Sequence, residues 1–202
     1  MRIPTLPVLT LIALSFGTNA PAQDKPAGEY EALVQRIKAG DATVDFTELR
    51  FACLESRGCH GEGDRDARKA MNQAFQEKRY SAALEQAAKA LKSNYADAEA
   101  HMMSSQVCAE TDQSGRAEFH RKIAAGLIRS ILSSGDGKAP STAFKVISIR
   151  EEYVVLGVNG LRIQSQALFG ENGHNYDRLI GVKPGTDERT TLYFNIDSFF
   201  GK

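Results

Sequence analysis

Apolar residues recur at helical spacing through the first two thirds of the chain, after a polar stretch near the N-terminus. The segment YEALVQRIKAG has its apolar residues at Tyr30, Leu33 and Ile37, and DFTELRFACLES repeats the spacing. Intervals of three and four residues place such side chains on one face of a helix. The pattern predicts two short helices, which the glycine-rich break RGCHGEGD ends.

The clearest helical period begins near Asp66, in ARKAMNQAFQEKRYSAALEQAAKALKSNYADAEAH. Two apolar stripes flank a corner at Lys78-Arg79, which predicts a hairpin of two helices. This segment resembles a tetratricopeptide repeat, a family that has small residues where its paired helices touch and a tyrosine at the start of its second helix. The matching residues here are Met71, Ala74, Tyr80, Ala83, Ala87, Ala90 and Leu91.

A second, weaker copy of this pattern follows the first. Cys108, Ala117 and Ala124 each follow their counterparts by about 34 residues, the period of the repeat family. Ser114 replaces the tyrosine, and Arg121 replaces an apolar residue. We expect two repeats, with the earlier helix pair packed as a third layer before them. The alternative is an alanine-rich helical bundle without a repeat.

After Pro140 the pattern changes from a helical to an alternating period. TAFKVI predicts a short strand, and Ser148-Ile149-Arg150-Glu151 predicts a capping box at the start of the helix EEYVVLGV. LRIQSQALF alternates, ENG predicts a hairpin turn, and HNYDRLIGVK and TTLYFNIDSFF supply two more strands. The predicted fold class is α+β: tetratricopeptide-like helical hairpins followed by a small β-α-β-β-β module with an antiparallel meander.

The first residues have the features of an export signal. The stretch MRIPTLPVLTLIALSFGTNAPAQ has one basic residue, an apolar run and an A-x-A cleavage pattern at Ala20-Pro21-Ala22. Because the run is short and is broken by Pro4 and Pro7, no permanent membrane anchor is expected. The protein is therefore predicted to be exported, to the periplasm or outside the cell. The predicted divisions are a signal peptide (1–22), a linker (23–29), a helical repeat-like region (30–133) and a small α+β module packed on the helices (134–202).

Charge excludes one broad class of partner. The chain has 25 basic and 25 acidic residues and a formal net charge of +0. Binding to nucleic acid requires clustered positive charge, so no nucleic-acid partner is expected.

Three cysteines occur in a chain that is predicted to reach an oxidising compartment: Cys53, Cys59 and Cys108. One disulfide and one free thiol is the simplest arrangement. Cys53 and Cys59 are the closest pair, although the alternative of a buried Cys53 and a free Cys59 stays open. Cys59-His60 lacks the C-x-x-C-H spacing that covalent haem attachment needs.

No motif predicts a cofactor or a metal. SSGDGKAPST contains glycines and a lysine, but Ala139 follows Gly137-Lys138 and the helix precedes the loop, so the segment is not a P-loop. Gly135 is expected to be the left-handed residue that ends the helix. The spacing of His101, Cys108 and His120 matches no tight metal motif.

The repeat pattern predicts an interaction surface. The first helices of successive repeats would line a groove able to hold a protein or peptide segment. The groove side chains would be Arg68, Asn72, Phe75, Gln76, Met102, Gln106 and Glu110. The alternative is that the C-terminal module of the chain fills this groove.

A non-enzymatic role is favoured, and the alternative is a hydrolase-type enzyme. Its site would lie at the junction of the sheet and the helices, close to the turn Asn172-Gly173. The candidate residues are Asp136, Lys138, His174, Tyr176 and Asp177.

Three longer stretches resemble an exported bacterial family known as domain of unknown function number four thousand nine hundred and nineteen. They are SILSSGDGKAPSTAFKVISIREEYVVL, GHNYDRL and TLYFNID, and the resemblance extends over the chain from about Tyr30 onward. The resemblance implies a secretion signal, a helical repeat-like front half and a small terminal sheet. It implies no activity and no catalytic residues.

Overall fold

The computed structural model describes residues 28–56, 59 and 65–201. The predicted signal peptide, His60 and most of the predicted linker lie outside the described residues. The last residue assigned to the linker, Glu29, is already the first residue of a helix.

The described residues form an α+β fold in which helices occupy the front half and strands the end, as predicted. The helices are α1 (Glu29–Lys38), α2 (Phe46–Glu55), α3 (Arg65–Gln76), α4 (Tyr80–Ser93), α5 (Ala98–Glu110), α6 (Ser114–Leu132) and α7 (Ile149–Val158). The strands are β1 (Phe144–Lys145), β2 (Arg162–Glu171), β3 (His174–Val182) and β4 (Arg189–Asn195).

Helices α3 to α6 pack against one another in chain order. Lys78 has a φ of 57° at the predicted corner, and α4 begins at Tyr80 as expected. Ala83 is fully buried in a small cluster with Ala74 and Val107, because only small side chains let the neighbouring helices approach so closely.

The hairpin of α1 and α2 packs differently from our expectation of a layer before α3. Its main contact outside the hairpin is between α2 and α6. Two further contacts join it to the loop between α4 and α5: the Tyr95 amide donates to the Tyr30 hydroxyl at 2.7 Å, and the Cys53 sulfur contacts Asn94 Oδ1 at 3.4 Å. The hairpin therefore closes the main helical core and does not extend a row of hairpins.

A disulfide joins Cys53 to Cys59, which confirms the predicted pair. It connects the end of α2 to the segment that precedes α3. Cys108 is buried and has a free thiol.

The sheet has the order β1-β4-β3-β2. Strands β2, β3 and β4 form the predicted antiparallel meander, and β1 adds to β4 in parallel. Asn172 and Gly173 both have positive φ in the β2–β3 turn, as tight hairpins require. The first strand is only two residues long, and the first residue of the segment expected to form it, Thr142, belongs to a 3-10 turn at Pro140–Thr142.

The glycine-rich loop before β1 differs from the prediction in one detail. The left-handed residue is Gly137, with a φ of +67°, and not Gly135. At Gly135 a Cβ atom would lie 2.3 Å from the carbonyl oxygen of Thr142, so this glycine permits a close backbone approach.

A buried ion pair joins the helical region to the sheet module. The Arg50 guanidinium donates to both oxygens of Glu151, at 2.7 and 2.6 Å, and also to the Ser130 hydroxyl and the Lys145 carbonyl. Arg50 is 1% exposed, so the pair is removed from water. These contacts bring α2, α6, β1 and α7 together.

The same contacts replace the predicted capping box. The Ser148 side chain makes no capping hydrogen bond, and Glu151 accepts from the Ile147 amide at 2.9 Å. Glu151, which the sequence pattern assigned to a local cap, thus forms a long-range ion pair instead.

Within the part of the chain that the structure describes, no helix is long and apolar enough to cross a membrane.

Candidate functional site: the free edge of the sheet

Within residues 28–56, 59 and 65–201, strand β2 lies at the edge of the sheet and pairs on one side only, with β3. Most of its ten residues are exposed, on both faces of the sheet. Its outer main-chain N–H and C=O groups therefore have no strand partner among the described residues. Such an edge is a template for pairing with another chain.

The composition of β2 does not protect this edge. Between Arg162 and Glu171 the sequence is IQSQALFG, which contains no charge and no proline. Natural proteins usually protect an edge strand by making it short or by placing lysines, prolines or bulges in it. The one irregularity is a shift of register between Ile163 and Ser165, at the start of the strand. From Ser165 onward the ladder is regular.

The two faces of β2 offer different side-chain surroundings. On the core side of the sheet Leu168 is 56% exposed, although its partner across the ladder, Asp177, is buried. On the other side Phe169 stacks on Tyr176, with ring centroids 5.5 Å apart, and contacts Tyr193 edge-on at 6.1 Å. A strand laid beside β2 would meet an aliphatic side chain on one face and aromatic rings on the other.

Two buried acids lie beneath β2. Glu152, on α7, and Asp177, on β3, are 0% and 1% exposed. Among the described residues, neither carboxylate oxygen of Glu152 has a hydrogen-bond donor, and Oδ1 of Asp177 has none either. Burial and the neighbouring Asp177 raise the pKa of Glu152 to about 9. Burial also raises the pKa of Asp177. Because it is unfavourable to bury two neighbouring negative charges, Glu152 keeps its proton at neutral pH.

The acid pair also anchors the edge strand. The side-chain amide of Gln166, in the middle of β2, donates to Asp177 Oδ2. Gln166 thus joins β2 to Asp177 on β3, and Asp177 is close enough to Glu152 of α7 to raise its pKa. This arrangement holds the position of β2 from the buried side and leaves its outer edge open.

The groove predicted from the repeat pattern is only partly accessible. Arg68 is 3% exposed and pairs with Asp97 at 2.7 Å, so it does not line an accessible surface. Asn72 donates to Glu99 at 3.2 Å, and Arg150 of α7 approaches the same carboxylate at 3.5 Å. The C-terminal module therefore reaches the beginning of this groove.

The remaining groove residues lie farther along. Phe75 is half-buried and packs beside Tyr80, with ring centroids 6.1 Å apart. The other four are exposed: Gln76, Met102, Gln106 and Glu110.

The five residues of the alternative enzyme site do not share one location. Asp136 and Lys138 lie exposed in the loop before β1, 3.9 Å from each other. His174 and Tyr176 are on one face of β3, whereas Asp177 is buried on the opposite face. The structure therefore separates Asp177 from the histidine.

His174 has a different acidic partner, which the sequence pattern did not indicate. Its Nδ1 lies 2.6 Å from Asp197 Oδ2, just beyond the end of β4. Burial alone would raise the pKa of Asp197, but hydrogen bonds from Asn175, His174 and Asn195 lower it to about 2. These bonds tie the start of β3 to the residues that follow β4.

Two of the three residues considered as metal ligands meet in the structure. The Nδ1 atoms of His101 and His120 are 2.9 Å apart, and His101 Nε2 lies 3.0 Å from the Tyr95 carbonyl. Burial, with His120 nearby, lowers the pKa of His101 to about 3, so it is neutral and one ring nitrogen donates while the other accepts. Cys108 does not join them, and the described residues contain no group of three or more potential ligands.

The position of the free edge could not be read from the sequence. The uncharged run between Arg162 and Glu171 is visible there, but a strand with this composition is equally compatible with the centre of a sheet. Its edge position follows from the insertion of β4 between β1 and β3. The buried acids were missed for a similar reason, because no periodic signal marks them.

Comparison with known proteins supports the resemblance noted in the sequence. No curated protein and no solved structure matches the chain. The family described as a domain of unknown function (DUF4919) matches residues 22–201. That match includes the helices and the whole sheet, and the chain therefore belongs to this family.

Proposed function

We propose that this is an exported protein that binds an extended segment of another polypeptide along the outer edge of β2. The observation that carries the proposal is the long, uncharged and unpaired edge between Arg162 and Glu171. Main-chain hydrogen bonds would supply affinity, and alternate side chains would supply specificity. This site replaces the helical groove as the preferred surface, because Arg68 is buried.

The charges at the ends of β2 favour one kind of segment. Antiparallel pairing is the more stable arrangement and continues the order of the meander. In that orientation the C-terminal end of the segment lies near Arg162, and its N-terminal end lies near Glu171. A segment with a basic residue first, an uncharged alternating middle and an acidic residue last is complementary at both ends.

The faces of the sheet favour apolar side chains in that middle part. Residues directed to the core side would pack beside the exposed Leu168. Residues directed to the other side would pack beside Phe169, whose ring already lies against Tyr176 and Tyr193. Aromatic and β-branched residues form the most favourable cross-strand pairs with such neighbours.

The proposal that the protein is exported rests on two features. The first 22 residues have the composition of a secretion signal, and the Cys53–Cys59 disulfide is typical of proteins in oxidising compartments. An exported partner would share that compartment. Detection of the intact protein with an N-terminus near Gln23 in a periplasmic or culture fraction tests this part of the proposal.

A designed peptide tests the binding site. The peptide Ac-KTVTVTVTVE-NH2 has the complementary charge order, and Ac-ETVTVTVTVK-NH2 has the same composition with the order reversed. We expect the first to bind about tenfold more tightly in calorimetry, because two exposed pairs change from attractive to repulsive. Intermolecular amide contacts to β2 in NMR spectra should appear for the first peptide.

Two variants locate the binding. Leu168→Lys puts a charge on the exposed edge and should weaken binding at least tenfold. Leu132→Lys makes the same change at an exposed position at the end of α6 and should leave affinity unchanged. Equal affinity of the two variants, or no binding of either peptide to the unmodified protein, would contradict the proposal.

A further inference from the structure

A concave surface lies between the α1–α2 loop and α6, and no residue of β2 lines it. It is a groove of about 820 Å³. Its walls are mainly apolar and include Ile37, Val44, Phe46, Phe119 and Ile123. A pocket of this size with an apolar lining and few polar groups is the usual form of a small-molecule site.

The shape of the groove depends on one glycine. A Cβ atom at Gly126 would lie 2.3 Å from the ring of Phe46, so only glycine permits this ring to rest on α6. The contact holds the loop after α1 against the helix. The groove extends along α6 from Gly115 to Ser133, which corresponds to about 27 Å of helix.

Most charges around the groove already have partners. Asp41 is bound by Arg36 and Thr43, and Asp45 accepts from the amide of Thr47. Glu118 pairs with the two basic residues that follow it, Arg121 and Lys122.

Arg129 is the exception. It is exposed on the rim. Among the charged side chains of this lining, that of Arg129 has neither an ion pair nor a hydrogen bond within the described part of the chain. The neighbouring Ser133 adds a hydroxyl at the same end of the groove. The groove thus has an apolar body, and at one end it has a positively charged side chain, Arg129, that has no partner among the described residues.

We propose that this groove binds an elongated apolar molecule with a single anionic group, of the class of long-chain carboxylates. The chain of the ligand would lie along Phe119 and Ile123, and its carboxylate would pair with Arg129. A guanidinium is well suited to a carboxylate because it can donate two parallel hydrogen bonds. This site contains no residue of β2. The protein would therefore have two binding sites, one for a peptide and one for a long-chain carboxylate.

The fluorescent fatty acid cis-parinaric acid is a suitable probe for this proposal. We expect saturable binding of one probe molecule per protein, and displacement by both oleate and oleyl alcohol. Arg129→Gln should weaken binding of the probe at least fivefold and should not change displacement by the uncharged alcohol. Arg189→Gln, an exposed arginine on β4, is the matched control and should bind as the unmodified protein does.

A blocking variant provides an independent test. Ala125→Phe places a ring in the groove and should remove probe binding, with the thermal unfolding midpoint as the check that the fold is retained. If this variant fails to fold, the comparison of Arg129→Gln with Arg189→Gln decides. Leu168→Lys should leave probe binding intact, which separates this site from the peptide site.

Three results would overturn the proposal. They are the absence of saturable probe binding, equal weakening in the two arginine variants, and a gel-filtration result in which the unmodified protein elutes as a dimer and Ala125→Phe elutes as a monomer. The last would show that a second copy of the chain occupies the groove.

Discussion

Replacement of Glu152 by glutamine should change how the stability of the protein depends on pH. Glu152 is fully buried between α7 and β3, and its pKa is raised from 4.5 to about 9 by burial and by Asp177. The folded protein therefore keeps a proton that the unfolded chain releases above about pH 4.5. The stability contributed by this proton is fully present below that pH and is lost as the pH rises toward 9.

The expected magnitude follows from the number of protons. One proton released on unfolding lowers the free energy of unfolding by about 1.4 kcal/mol per pH unit. Between about pH 7 and about pH 8.5 the loss is about 2 kcal/mol. Glutamine has almost the same shape, does not titrate in this range, and can donate its amide to Asp177. The variant should therefore lack this part of the pH dependence.

Urea denaturation at a series of pH values measures the effect. We subtract the unfolding free energy of the unmodified protein from that of the variant. This difference should rise by about 2 kcal/mol between about pH 7 and about pH 8.5, because all other titrating groups are common to both proteins. Glu85→Gln, at an exposed position of α4, is the matched control and should give a curve parallel to that of the unmodified protein. Parallel curves for Glu152→Gln as well would refute the assignment of a protonated Glu152.

Two further predictions concern the contacts that hold the fold together. Arg50→Met leaves Glu151 buried without its cation and should lower the unfolding free energy, measured by urea denaturation, by about 3–5 kcal/mol. The double variant Arg50→Met with Glu151→Leu should recover part of this loss. An equal loss in the single and double variants would show that the ion pair does not couple these residues. Alkylation of the urea-unfolded protein without reductant should modify Cys108 alone, and reduction should expose Cys53 and Cys59 and lower stability by about 2 kcal/mol. Three alkylated cysteines before reduction would contradict the disulfide.

Local signals in the sequence were sufficient for the order and type of the elements. Tyr80 opens α4 and Lys78 forms the corner, because helix periodicity and a break in it are properties of neighbouring residues. The turn at Asn172-Gly173 was predictable because these two residues tolerate positive φ. The Cys53–Cys59 pair was also the nearest in sequence.

Prediction from the pattern was less accurate where a residue had both a local and a distant partner available. Glu151 suits a capping box, but it binds Arg50, which is 101 residues away in the sequence. Arg68 occupies a groove position in the repeat pattern, but a buried ion pair with Asp97 removes it from the surface. In both cases a charged side chain near the core is stabilised by an opposite charge, and only the folded chain determines which one is near.

The sequence by itself determined the α+β class, the succession of helices and strands, and the membership of the family, because these depend on short-range periodicity and turn chemistry. The tertiary structure decided that β4 lies between β1 and β3, which leaves β2 as the free edge, and that α1 and α2 pack on α6 to form a groove. The reason is that strand order and helix packing depend on how the whole apolar surface of the chain is buried. That burial joins residues far apart in the sequence, and no local pattern encodes it.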